Sequence, residues 1–230
     1  MKKPLQVALA KLIFLLSSTW LVSQDAFASD VSEGVEPSQK HVFYMHGAWI
    51  EEHGLSQPHP KHGRYQYDDI INALEAEGYQ VVSEVRQNEV HPLEYATEVA
   101  EEVDHLLKSE VPPRNIAVIG HSKGGQMALI VASLIQEPDI HYVVMAGCGK
   151  SGTSFRRSYD KFLRQRAQYL RGRILSIYDS ADREAGTCQE AFNPSPGLET
   201  LEEVLHTGQG HGLFYSPARI WVDKIREWIG

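Results

Sequence analysis

The sequence of 230 residues predicts an α/β fold, in which a mostly parallel six-stranded sheet carries helices on both faces. Short apolar runs rich in β-branched residues alternate with longer segments whose apolar residues recur at helical spacing. Such alternation is typical of parallel βαβ units. Glycine-flanked polar residues follow several of the strands, at the sheet edge where ligands bind in such folds. The sequence therefore predicts both an architecture and the edge of the sheet that carries the site.

The first 28 residues have the pattern of a signal peptide. Met1-Lys2-Lys3 is positively charged, the apolar stretch 12–22 is too short to span a bilayer, and Ala26-Phe27-Ala28 fits a cleavage site. We therefore expect a protein exported to the periplasm or secreted, without stable membrane insertion once the leader is removed. The alternative is an uncleaved N-terminal anchor. Residues 29–40 are predicted to be a loose segment, and residues 41–230 a single domain.

The charge of the chain argues against nucleic acid as a partner. The net charge is −8, and removal of the leader, with its three lysines and one aspartate, makes it about −10. Nucleic-acid-binding domains carry the opposite sign.

The first part of the predicted domain contains two strands and two helices. A polar segment with glycines and prolines follows the first strand and predicts a loop. In chain order we expect a strand at 41–45, a loop over 50–67, a helix from 68 to Gly78, a strand at 80–85 and a helix over 92–109.

The second part continues the alternation and supplies four further strands. The segment 183–199 is rich in proline, glycine and asparagine, and it predicts a loop. We expect strands at 115–119, 140–146, 173–178 and 202–206, and helices over 126–135, 155–170 and 217–229.

The hexapeptide from Gly120 to Gly125 contains Ser122 in a G-x-S-x-G pattern between a predicted strand and a helix. A tight turn there needs glycine where side chains would clash, and the helix N-terminus favours negative charge near the serine. This context resembles the nucleophile elbow of the α/β-hydrolase superfamily. The resemblance extends over about residues 41–229 and is to serine hydrolases and esterases of the exported bacterial type.

The resemblance also implies a minimal form of this fold. The first two strands of the full fold are missing, because the His46-Gly47 strand comes soon after the leader. The segment between the strands at 140–146 and 173–178 is mostly one helix, which leaves little room for a large cap domain.

A serine needs a neighbouring base to act as a nucleophile, and the superfamily order is serine, acid, histidine. His211 lies in a glycine-framed loop after the last predicted strand. The resemblance implies a triad of Ser122, Asp182 and His211. Asp179 occupies the glycine position of the expected Gly-x-x-Asp turn, so it remains an alternative acid, and Glu184 is a third candidate.

Two backbone N–H groups are needed to stabilise the oxyanion of a tetrahedral intermediate. The residue after the nucleophile, Lys123, supplies one. The His46-Gly47 pair resembles the His-Gly motif of the superfamily, which implies the amide of Ala48 as the second donor. Trp49 is the alternative donor if the loop is shifted.

Three aromatic residues near the predicted site, Trp49, Phe214 and Tyr215, are expected to form an apolar acyl wall, with ordinary core packing as the alternative. The function implied is cleavage of a small-molecule carboxylic ester through an acyl-enzyme intermediate. A peptidase or amidase with the same triad, and a catalytically silent binding protein, remain alternatives.

No metal or other cofactor is expected. The spacing of His53, His59 and His62 matches no common zinc pattern, and the sequence contains no glycine-rich phosphate loop. The two cysteines, Cys148 and Cys188, predict a disulfide in an exported protein, and two free thiols are the alternative.

Overall fold

The computed structural model describes residues 38–230. In this part of the chain six strands form one sheet in the order β2-β1-β3-β4-β5-β6, and every neighbouring pair is parallel. The strands are β1 Lys40–Met45, β2 Tyr79–Val82, β3 Ile116–His121, β4 His141–Met145, β5 Arg173–Asp179 and β6 Glu199–Leu205. The predicted parallel α/β architecture is confirmed. The strand order reverses between β1 and β3, and such a switch point opens a crevice at the carboxyl ends of the strands.

The helices cover both faces of this sheet. They are α1 Ala48–His53, α2 Tyr67–Glu75, α3 Pro92–Lys108, α4 Lys123–Leu134, α5 Ser154–Gln165, α6 Gln189–Phe192 and α7 Arg219–Ile229. The helices α2 and α7 share one hydrophobic cluster with alternate strand residues, among them Val42, Tyr44, Leu175 and Ile177. Successive strand residues point to opposite faces, and α4, which packs on β1, β3 and β4, covers the other face together with α3.

Two elements of the first part differ from the sequence prediction. Helix α1 includes residues 50–53, which the sequence predicts to be loop. Ile50 is buried there in the hydrophobic cluster and Glu51 against Arg86. Strand β2 ends at Val82, three residues before the predicted end. The next side chain, Ser83, donates a hydrogen bond to the carbonyl of Tyr44 (2.7 Å) instead of extending the ladder.

The segment between β4 and β5 contains α5 and a short 3₁₀ turn over 167–169. No separate cap domain interrupts the described chain, so the carboxyl edge of the sheet is left open. The predicted signal peptide over 1–28, and the predicted loose segment up to residue 37, lie outside the described residues. Within residues 38–230, none of the helices combines the length and apolarity needed to cross a membrane.

Candidate active site

Ser122 lies at the sharp turn between β3 and α4, with φ 56° and ψ −118°. Positive φ is unfavourable for a residue with a side chain, and such strain clusters at functional sites. The turn also requires glycines. A Cβ on Gly124 would lie 2.0 Å from the carbonyl oxygen of Met45, and one on Gly120 would lie 2.1 Å from that of Gly124. The geometry is that of a nucleophile elbow.

The structure brings Ser122, His211 and Asp182 into one hydrogen-bonded chain. His211 lies on the 3₁₀ segment Gly210–Tyr215, with its Nε2 atom 2.8 Å from Ser122 Oγ and its Nδ1 atom 2.8 Å from Asp182 Oδ2. An ionised carboxylate only accepts hydrogen bonds, so Nδ1 donates to it. The other ring nitrogen, Nε2, is then free to accept the proton of the serine hydroxyl.

Asp182 is held by its own loop as well as by the histidine. The backbone N–H groups of Glu184 (2.8 Å) and Ala185 (3.1 Å) donate to its Oδ1 atom. Burial raises the pKa of Asp182, but the contact with His211 and these two amides outweigh burial, so the pKa lies below its usual value. Asp182 therefore stays ionised beside His211.

Asp179, the alternative acid, has a different set of partners. It accepts hydrogen bonds from the amide and hydroxyl of Thr207 and from the amides of Ala181 and Gly210. These contacts tie the loop after β5 to the loop after β6. Glu184, the third candidate, donates a hydrogen bond from its backbone amide to Asp182, and it is one of the residues that line the cavity containing Ser122.

The expected oxyanion donors begin two helices. Ala48 is the first residue of α1 and Lys123 the first of α4. The first amides of a helix have no acceptor within it. The loop before α1 lies close to the elbow, since a Cβ on Gly47 would be 3.3 Å from Ser122 Cβ. Ala48 lines the same cavity as Ser122, and so does the alternative donor Trp49.

This cavity has a volume of about 150 Å³. Of the three residues expected to form its wall, Trp49 and Tyr215 line it. Phe214 does not. It is completely buried and packs against His121 and Trp221, because the 3₁₀ segment turns its side chain towards the core under α7.

Behind the elbow lies a buried group of charges that the sequence analysis missed. The carboxylate of Glu51 accepts hydrogen bonds from Arg86 Nε (2.6 Å) and from the Lys123 ammonium, which also donates to the carbonyl of Val90 (3.1 Å). The backbone of Arg86 donates to His46 Nε2 (2.9 Å). Burial and the Arg86 charge lower the pKa of His46 to about 3, so this ring is neutral. His46 and Lys123 belong to motifs in the sequence, but no local pattern marks Glu51 or Arg86 as their partners.

The three histidines weighed as metal ligands lie near the cavity but do not converge. His53 stacks on Trp49 with ring centroids 3.7 Å apart, while His59 and His62 stack on each other at 4.4 Å. Among residues 38–230, no group of three or more histidine, cysteine, aspartate or glutamate side chains is arranged to hold a metal ion. His59 and His62 instead line the cavity beside Ser122, a position that their sequence spacing does not indicate.

Cys148 and Cys188 form a disulfide, with a Cα–Cα distance of 5.3 Å. It joins the end of β4 to the segment that follows the loop of Asp182. A β-bridge between Gly149 and Ala185 lies alongside it. Two independent links therefore hold the Asp182 loop to the sheet.

No protein-family model matches the sequence, and no curated protein matches it significantly. Several solved structures match the fold. The structure of SOBER1 from Arabidopsis thaliana aligns with a TM-score of 0.53 at 15% identity, covering 84% of this chain and 98% of that one.

A lipase-esterase related protein from Clostridium acetobutylicum aligns with a TM-score of 0.55 at 13% identity, covering 84% of this chain and 96% of that one. An acetyl xylan esterase from Paenibacillus sp. R4 aligns with a TM-score of 0.54 at 14% identity, covering 85% of this chain and 75% of that one. Together with the parallel sheet and the elbow, these likenesses show that the chain has the fold of the α/β-hydrolase superfamily.

Proposed function

We propose that this protein is a serine hydrolase that cleaves small-molecule carboxylic esters through an acyl-enzyme intermediate. The observation that carries the proposal is the hydrogen-bonded chain from Ser122 through His211 to Asp182, placed at a strained strand-to-helix turn. Two proteins with this fold, an acetyl xylan esterase and a lipase-esterase related protein, favour the same chemistry.

In the first half-reaction, Ser122 Oγ attacks the carbonyl carbon while its proton moves to His211 Nε2. The electron pair of the C=O bond moves to the carbonyl oxygen. When the tetrahedral intermediate collapses, the carbon–alkoxide bond breaks and His211 gives its proton to the departing alcohol. Asp182 keeps the imidazole in the correct tautomer and stabilises the imidazolium.

The negative oxygen of this intermediate needs two N–H donors, which we assign to the amides of Ala48 and Lys123. Each donor of this kind contributes roughly 3–4 kcal/mol to the stability of the transition state. In the second half-reaction, water attacks the acyl carbon and His211 Nε2 takes one of its protons. When the second tetrahedral intermediate collapses, the C=O bond re-forms, the bond to Ser122 Oγ breaks, and His211 returns the proton to Ser122 Oγ, which releases the acid.

The test is hydrolysis of p-nitrophenyl acetate together with labelling by a fluorophosphonate probe. We expect the wild type to be labelled and to turn over the ester, whereas Ser122→Ala does neither. Ser158→Ala, a change at an exposed serine of α5, is the matched control and should keep both activities. Equal rates for wild type and Ser122→Ala would overturn the proposal, and absence of labelling would favour a silent binding protein. The corresponding anilide distinguishes an esterase from an amidase.

We further propose that the protein is exported. Disulfides persist in oxidising compartments, and residues 1–28 have the composition of a signal peptide. N-terminal sequencing of the protein from its native host should begin at Ser29. A mature chain that begins at Met1 would contradict this.

A further inference from the structure

Two cavities meet at the candidate triad. The cavity beside Ser122 has a volume of about 150 Å³, and a neighbouring cavity of about 210 Å³ lies on the side of Asp182. Three residues, His62, Glu184 and His211, line both. These three residues form the boundary between the two cavities. Contacts with Asp182 hold His211 and the loop that contains Glu184, whereas His62 comes from a separate loop.

The ring of His62 is held in place by its neighbours. It stacks on His59, meets Tyr215 edge-on with centroids 5.3 Å apart, and lies directly against the backbone that follows His211. A Cβ on Gly212 would come within 2.7 Å of His62 Nδ1. The amide of His62 also donates to His59 Nδ1 (3.2 Å). The ring is therefore a packed wall and not a freely moving surface side chain.

The acyl group of an acyl-enzyme is bonded to Ser122, so it must lie in the cavity that contains this residue. Pockets for drug-sized ligands usually measure roughly 300–1,000 Å³. The space beside Ser122 is well below that range, and His62 forms the part of its wall that also faces the neighbouring cavity.

The side chains around this cavity also disfavour negatively charged acyl groups. Two carboxylates, Glu52 and Glu184, line it, and within the described chain its lining includes neither lysine nor arginine. Burial lowers the pKa of His59 and of His62, which favours the uncharged form of both rings. A negatively charged acyl group would be repelled.

We propose that the site takes esters of short, uncharged acyl groups, and that His62 is the residue that sets the length limit. This rests on the proposed esterase function. Replacing His62 by alanine removes the ring between the two cavities, so longer acyl chains gain space relative to acetyl.

The experiment compares kcat/KM for p-nitrophenyl octanoate with that for the acetate in wild type, His62→Ala and His105→Ala. His105 is exposed on α3 and is the matched control. We expect the octanoate-to-acetate ratio to rise about tenfold or more in His62→Ala and to stay unchanged in the control. Each ratio is measured on a single preparation, so a loss of folded protein cancels.

The charge preference is tested with the p-nitrophenyl monoester of succinic acid against the butyrate, which has the same chain length. We expect kcat/KM of wild type to be about tenfold higher for the butyrate than for the succinate, and we expect this ratio to be smaller in Glu184→Gln. The inference would be overturned if the octanoate-to-acetate ratio were unchanged in His62→Ala. It would also be overturned if wild type accepted octanoate or succinate as readily as the short neutral esters. If wild type shows no Ser122-dependent hydrolysis of any ester, the proposed function itself is rejected and the specificity falls with it.

Discussion

Ser122 adopts a backbone conformation that costs a residue with a side chain roughly 1–3 kcal/mol. Hydrogen bonds from its amide to Met145 and from Gln126 to its carbonyl hold it there. The result is a hydroxyl lifted out of the strand, with its Oγ atom 2.8 Å from His211 Nε2. At the scale of single residues, the position of the Ser122 hydroxyl therefore depends on a strained backbone conformation that neighbouring hydrogen bonds hold in place.

Asp182→Asn tests the orientation of the histidine. An asparagine can present its NH₂ group to Nδ1, which favours the tautomer that cannot accept the serine proton. We expect kcat for p-nitrophenyl acetate to fall by about 10⁴-fold with little loss of stability. Steady-state kinetics and urea unfolding measure the two quantities. A kcat within about tenfold of wild type would remove Asp182 from the proposed triad.

Asp179→Asn is the matched change at the other acid. Burial raises the pKa of Asp179, but its hydrogen bonds from Thr207, Ala181 and Gly210 lower it further, so the net shift is downward. A depressed carboxylate pKa adds stability that is present at neutral pH and is lost as the pH falls through the pKa of the folded state. We expect the variant to be less stable at pH 7 and to lose less stability than wild type between about pH 5 and pH 2. Urea unfolding of both proteins at about pH 7, pH 5 and pH 2 measures these differences in stability. A variant as stable as wild type at pH 7 would contradict the expectation.

At the scale of elements, the two proposed oxyanion donors belong to different helices, and their spacing depends on what joins α1 to α4. The Glu51 side chain is one such link. It projects from α1, contacts Lys123 at the start of α4, and contacts Arg86 in the loop after β2.

Glu51→Gln should weaken both stability and turnover. Loss of the carboxylate leaves the Arg86 guanidinium buried without its counter-charge, which we expect to lower the unfolding free energy by about 3 kcal/mol. The helix starts then lose their fixed spacing, so kcat should fall by up to about 10²-fold while KM changes little. Urea unfolding and steady-state kinetics measure these effects. Glu101→Gln, at an exposed position of α3, is the control, and wild-type behaviour of Glu51→Gln would refute the link.

At the scale of the whole molecule, the parallel sheet brings together residues that are far apart in the chain. His211 and Ser122 are 89 positions apart, yet both follow strands whose carboxyl ends share one edge. The loop of Asp182 is the third participant. It is tied back to β4 by the β-bridge between Gly149 and Ala185 and by the disulfide.

Replacing both Cys148 and Cys188 by alanine should act mainly on stability. The disulfide joins residues 40 positions apart, and closing a loop of that length stabilises the fold by about 4 kcal/mol through the entropy of the unfolded chain. The backbone links beside it remain, so the folded fraction should keep its rate of ester hydrolysis. Urea unfolding of the variant, compared with wild type with and without reductant, measures the loss. Unchanged stability would contradict the expectation.

The sequence predictions rest mainly on hydrophobic periodicity and on the placement of glycine residues. They indicated the strand and helix alternation, the elbow at Ser122 and the glycine-framed loop of His211, because these signals are local to each segment. The alternation predicted a parallel sheet. In such a sheet Ser122, Asp182 and His211 are expected at one edge, because each of them follows the carboxyl end of a strand.

Only the tertiary structure decided which loop residues meet there. It placed Asp182 and not Asp179 on His211, Phe214 in the core instead of the cavity, and Glu51 between two cations. It also formed α1 where local composition predicted a loop. The conformation of a loop depends on partners that lie tens of residues away in the chain, and neither periodicity nor spacing within the loop records those partners.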